Sequence, residues 1–341
     1  MNTNLPDLIA AELELRMTLT IALKKAAKYH PQYPKSFCVL LMMVWIGVFD
    51  PGTPNAQQVI DTEFHFENKY PAYPINKGPK LLIDKAHSPY VARGAYEPFL
   101  KLVREDGFQT NSLDTKITAN SLADTQILVV VNAYKKTYSQ FPIMQPPAAH
   151  DADEIEIISE WVSNGGRLLI ISDHAPFAGG TSALAEKFGF TFFNGYALRK
   201  SSLPFNHGSI NYQINDGLNH EHPIIKGGFG KAKITQFFTF NGTAFIAPAG
   251  AQSLLTIPNG FVVLMARSLK QVDTAPQINV SGLSAGSTLN YGNGRVAVFA
   301  EAAAFSAQVL NKLKKMGMNH PNGAKNPIFA LATMRWLAEG L

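Results

Sequence analysis

Residues Arg167 to Pro176, RLLIISDHAP, constrain this chain more than any other stretch. Leu168 through Ser172 are apolar or small with no polar alternation, which reads as a strand buried on both faces, as in a parallel sheet. Gly165 and Gly166 precede the run, and Asp173, His174 and Pro176 end it. An acid beside an imidazole at the carboxyl end of such a strand lies where open α/β sheets gather their ligands.

The neighbouring segments repeat the pattern. Lys80 to Asp84 (KLLID) and Thr125 to Val131 (TQILVVV) read as further buried strands, and Phe108 to Leu113 as a more polar edge strand. Tyr96 to Glu105 reads as a helix closed by Asp106-Gly107. Asp151 to Ser163 reads as an amphipathic helix with an acidic start, and Thr181 to Lys187 as a shorter one. Strand and helix alternate with short connections, the signature of a mostly parallel sheet covered on both faces. Residues 190–290 lose this rhythm and carry short strand-like runs at Ile234–Phe240, Ser253–Ile257 and Phe261–Met265, predicting a β-rich insertion. The rhythm returns with Val296–Ala300 before Glu301, followed by expected helices at Ala302–Lys314 and Pro327–Leu337.

At the amino end, Phe37 to Phe49 (FCVLLMMVWIGVF) is uncharged and follows Lys24, Lys25, Lys28 and Lys35. An apolar run of this length suits the core of a secretory signal rather than a spanning helix, which needs about 20 residues. Residues 1–56 are therefore expected to be a leader, 57–78 a lead-in segment, and 79–341 one α/β domain. The expected destination is the periplasm or the exterior, with membrane contact only through an uncleaved leader. Removing the leader removes Cys38, the single cysteine, and with it thiol nucleophiles, disulfides and cysteine metal ligands. The net charge of +5 comes with no basic patch interleaved with aromatics, and Lys312-Leu313-Lys314-Lys315 reads as a solvated helix face. Nucleic acid is not an expected partner; a carbohydrate or another small molecule is.

Four buried strands end on polar residues: Asp84 with His87, Asn132, Asp173 with His174, and Glu301. Parallel strands present their carboxyl ends on one edge, so these side chains are expected to converge. Two chemistries fit. Asp84, His87, Asp173 and His174 offer oxygen and nitrogen donors suited to a divalent metal such as zinc, manganese or iron. Alternatively, Asp173, His174 and Glu301 act as acid/base residues without metal. Arg93, Asn132, Gln308 and Asn319 are the expected substrate contacts. Ser88, Ser172 and Ser306 are candidate nucleophiles, but none lies in G-x-S-x-G. Gly227-Gly228-Phe229-Gly230 does not join a strand to a helix, so no nucleotide cofactor is expected.

The segments IDKAHSPYVARGAYEPF, VVVNAY, EWVSNGGRLLIISDHAPFAGG, GNGRVAVFAEAAAFSAQ and GMNHPNGAKNPIFALATMRWL together resemble a group of exported bacterial proteins of uncharacterised function, the DUF4350-like group. That resemblance implies a flavodoxin-like, doubly wound domain similar to class I glutamine amidotransferases. Those enzymes place a catalytic cysteine after a central strand. This chain has none there, so glutaminase chemistry is not implied.

Overall fold

The structure, a computed structural model, describes residues 58–135, 145–202, 208–226, 233–266 and 274–339. They belong to the compact unit Ala56–Leu341. The expected leader and the Gly227-Gly228-Phe229-Gly230 turn lie outside the described residues.

The strands that build the site are β1 (Lys80–Asp84), β2 (Gln109–Leu113), β3 (Ile127–Val131), β4 (Arg167–Ile171), β5 (Gln252–Thr256), β6 (Ser284–Tyr291), β7 (Gly294–Phe299), β8 (Ala307–Leu310) and β9 (Lys314–Gly317). The principal helices are α1 (Glu97–Glu105), α2 (Ala152–Ser163), α3 (Phe177–Lys187) and α4 (Asn326–Glu339). Strands β7, β4, β3, β1 and β2 lie side by side in that order, each parallel to its neighbour. Leu82 pairs with Leu128 on one side and Asn111 on the other, and Ile170 pairs with both Val130 and Val298. All five residues of β3 are buried, as its uninterrupted ILVVV demands. Helix α1 packs with α4, and α2 with α3.

The chain is a mixed α/β fold of the doubly wound, flavodoxin-like kind. It leaves β1 for β2 on one side, then crosses back to β3, β4 and β7 on the other. The strand order therefore reverses between β1 and β3, and the crevice at their carboxyl ends is the topological switch point. Beyond β7 the sheet is mostly antiparallel: β6 pairs with β7, β5 with β6 and Gly217–Leu218 with β5, while Asn211–Ile214 joins Gly217–Leu218 in parallel and Gln236–Phe238 adds antiparallel to it. Part of the β-rich stretch thus extends the main sheet. Tyr196–Arg199, Phe261–Leu264 and Gln277–Asn279 form a separate three-stranded sheet.

Helix α2 starts where its acids place it. Asp151 and Glu154 form a reciprocal capping box, with the Asp151 amide donating to Glu154 Oε2 at 2.9 Å. The helix expected at Ala302–Lys314 does not form. Glu301 instead accepts the amides of Ala303 and Ala304 and closes a single 3-10 turn over Ala303–Phe305. The chain then runs into the β8–β9 hairpin, which turns through Asn311 and Lys312 at φ 51° and 60°. The exposed Lys312-Leu313-Lys314-Lys315 run is therefore the tip of a hairpin, not a helix face.

Candidate functional site

Asp84 ends β1 and has no solvent exposure. Its Oδ1 accepts the His87 amide at 3.1 Å, which folds the loop so that the His87 ring returns over the carboxylate. His87 Nδ1 lies 3.0 Å from both carboxylate oxygens, and His150 Nε2 lies 2.8 Å from Oδ2. The two imidazole centroids are 4.3 Å apart and tilted by 39°. His87 Nε2 faces Glu154 Oε1 at 3.4 Å, the same carboxylate that caps α2 and accepts the Ile117 amide. Burial alone would raise the Asp84 carboxyl, but hydrogen bonds from His150 and His87 outweigh it and hold the group well below the usual range. Burial likewise works against charge on His87, and Asp84 reverses it, so His87 holds its proton more tightly than a free histidine. Among the described residues, Asp84, His87 and His150 are the group whose donor atoms could hold a metal ion.

A second acidic cluster lies on the same edge, at the ends of β4 and β7. Asn132 follows β3 with a left-handed backbone, φ 46°, and its Oδ1 accepts the Asp173 amide at 2.8 Å. Burial pushes the Asp173 carboxyl up despite the opposing pull of His174. Burial raises Glu301 well above the usual carboxylate range, and the negative charge of Asp173 adds to the effect. Three tyrosines feel the charge of these acids. Burial and then Asp173 push the Tyr196 phenol up to about 12. The buried Tyr96 is raised by burial, then by Asp173 and Glu301. Tyr90, also raised by burial, carries Arg93 over its ring at 4.4 Å.

The expected metal set of Asp84, His87, Asp173 and His174 is corrected in one half. Asp84 and His87 come together, but Asp173 and His174 do not join them, because β3 separates β4 from β1 and two strand spacings are roughly 10 Å. His174 turns away: its Nδ1 bonds the Ala175 carbonyl at 2.7 Å and its ring stacks on Tyr196 at 4.5 Å. The third donor, His150, escaped the sequence reading. Its signal was the capping box beginning at the next residue. A helix that follows a parallel strand starts at the carboxyl edge, so a histidine just before that cap is delivered there.

Of the other expected contacts, Gln308 and Asn319 are engaged elsewhere. Arg93 is exposed beside Tyr90. Gln308 is buried on β8, bonded to Ser306 and to Gln58 of the Gln58–Ile60 strand. Asn319 donates to Asp61 Oδ2 at 2.8 Å and to the Gln308 carbonyl at 2.9 Å, so both bind other parts of the chain. The three serines also have local partners: Ser88 caps the Pro89–Ala92 turn, Ser172 donates to Thr181, and Ser306 donates to the Ala303 carbonyl.

No family model and no curated protein matches the chain. Solved structures do. The mmIFT52 N-terminal domain superposes with a TM-score of 0.50 at 16% identity, covering 76% of this chain and 98% of that one. A ThuA-like protein from Bacteroides uniformis gives 0.43 at 13% identity, covering 78% and 95%. A GMP synthase component from Thermoplasma acidophilum gives 0.38 at 11%, covering 76% and 96%. At these identities the likeness is one of fold.

Proposed function

We propose that the chain is an exported, hydrolase-like enzyme acting on a carbohydrate or similarly polar small molecule over the carboxyl ends of β1, β3, β4 and β7. Asp173 and Glu301 form its acid/base pair. The observation that carries this reading is the placement of two carboxyl groups on neighbouring strand ends, near enough to Tyr90, Tyr96 and Tyr196 for their charge to act on those phenols. Burial keeps both raised, so at least one can hold a proton where an ordinary carboxyl would have lost it. Asn132 fixes the Asp173 backbone, and Arg93 and Tyr90 offer donors to substrate hydroxyl or carboxylate groups. Export rests on the charged-then-apolar order of the amino-terminal residues. Membership of the DUF4350-like exported group rests on the quoted segments.

A second reading is favoured by one specific contact. Glu301 accepts amides at 2.9 and 3.0 Å with its two oxygens, as a structural cap does. On that reading the same edge binds a sugar without cleaving it. The two separate in a panel of nitrophenyl glycosides and nitrophenyl acetate, combined with sugar binding followed by calorimetry. The enzyme reading expects turnover that falls by about 100-fold or more in Asp173→Asn. Turnover equal in the wild type and Asp173→Asn would overturn it, as would sugar binding with no turnover.

A further inference from the structure

The Asp84 cluster lies at the switch point between β1 and β3, apart from the Asp173–Glu301 pair, and an acid/base mechanism at that pair makes no use of it. Its donor atoms are close together. Asp84 Oδ2 stands 2.8 Å from His150 Nε2 and 3.0 Å from His87 Nδ1, and all three donors lie within 4.8 Å of one another. A zinc-like ion bonds nitrogen and oxygen at about 2.0–2.2 Å, which puts adjacent ligand atoms roughly 2.9–3.5 Å apart between right-angled and tetrahedral arrangements. The two spacings from Asp84, to His87 and to His150, are therefore close to those an ion would hold, and the protons now bridging them are what it would displace.

One further observation points to a ligand. His87 has its outer nitrogen facing Glu154, the carboxylate–histidine arrangement that orients metal-bound imidazoles. The cluster reaches solvent at His87, whose side chain is 15% exposed, whereas those of Asp84 and His150 are 1% exposed.

We propose that Asp84, His87 and His150 form a three-donor site for a borderline divalent ion, zinc foremost, at the β1–β3 crevice. Two imidazoles and one carboxylate select zinc, iron(II) or manganese over magnesium and calcium, which prefer oxygen donors. When bound, the ion would polarise a substrate oxygen or a water at the crevice.

The test titrates the chelator-stripped full-length chain with zinc and, separately, with magnesium, following heat and bound metal, and with cobalt(II), following its visible absorption. We expect one zinc per chain, no comparable magnesium binding, and cobalt absorption bands of nitrogen-containing low-coordinate sites. His87→Ala, chosen because that side chain reaches solvent, should weaken zinc affinity by at least about 10-fold. His150→Gln should do the same. The wild-type arm stands even if a variant fails to fold. Absence of a stoichiometric zinc in the wild type would overturn the site, as would zinc affinity unchanged in folded His87→Ala. Neither result bears on turnover at Asp173.

Discussion

Asp173 illustrates how a single residue can be held at a cost. Its carboxyl is raised by burial above the ordinary 3.8, so between that value and its folded value the native state keeps a proton that the unfolded chain has released. Stability must therefore fall as pH rises through that window, the reverse of a salt-bridged aspartate. Asn in place of Asp keeps an oxygen for the His174 amide, which Asp173 Oδ1 now accepts at 2.9 Å, while removing the charge next to Glu301. Thermal melts of Asp173→Asn should run about 2–4 °C above the wild type at pH 8, the response of a domain this size to roughly 1 kcal/mol. The two melts should converge below pH 3.8, where the group is protonated folded or unfolded. A gap that persists at low pH would show that the charge is not the cause. At this scale the acids were legible in the sequence, because a polar residue ending a buried apolar run must lie on an edge. Which acid joins which histidine was not, since that depends on strand order.

Elements were legible where local chemistry decides them and illegible where distant partners do. Helix α2 could be placed from its acids and apolar spacing, and its capping box formed at the expected start. The segment after Glu301 misled because Ala302, Ala303, Ala304 and Ala307 favour a helix by propensity. Two facts override them. Glu301 spends its carboxylate on the first two free amides, and β8 finds a partner in Gln58–Ile60, with Gln308 bonded to a residue 250 positions away. No local window contains that partner. The hairpin tip gives a test. Asn311 tolerates the left-handed region but Lys312, at φ 60°, does not. Lys312→Gly should stabilise the unit by roughly 0.5–1 kcal/mol in urea unfolding, since the side chain is exposed and only the backbone penalty changes. A loss of stability would mean that the turn is not held as described.

Across the whole molecule, the parallel half of the sheet was legible and the antiparallel half only in part, through the runs at Ile234–Phe240 and Ser253–Ile257 that overlap Gln236–Phe238 and β5. Strands β3 and β4 are covered on both faces and must be apolar throughout. Strand β6 is equally buried at its start, yet it reads SAGSTLNY and was missed. Its hydroxyls are bonded instead: Ser287 donates to Ser284 at 3.0 Å, and Thr288 meets His222 Nε2 at 2.7 Å. A buried strand that pairs its own polar groups leaves no hydrophobic signature.

One polar knot ties distant parts of this fold together. Asp106, wholly buried at the end of α1, accepts from Asn68 Nδ2 at 2.8 Å and the Ala72 amide at 3.0 Å, and is gripped through both oxygens by Arg335 of α4. The lead-in residues are therefore clasped to the first and last helices of the domain by one carboxylate. Removing one partner of a buried pair leaves the other charge desolvated, so Asp106→Ala should cost about 3–5 kcal/mol in urea unfolding and open the Asn68–Tyr73 segment to trypsin at Lys69. Replacing both, as Asp106→Leu with Arg335→Met, should recover part of the stability because no orphaned charge remains. It should not restore trypsin resistance, since Asn68 and Ala72 would still lack their acceptor. Joint recovery of stability and protease resistance would mean that packing, not the carboxylate, holds the lead-in segment in place.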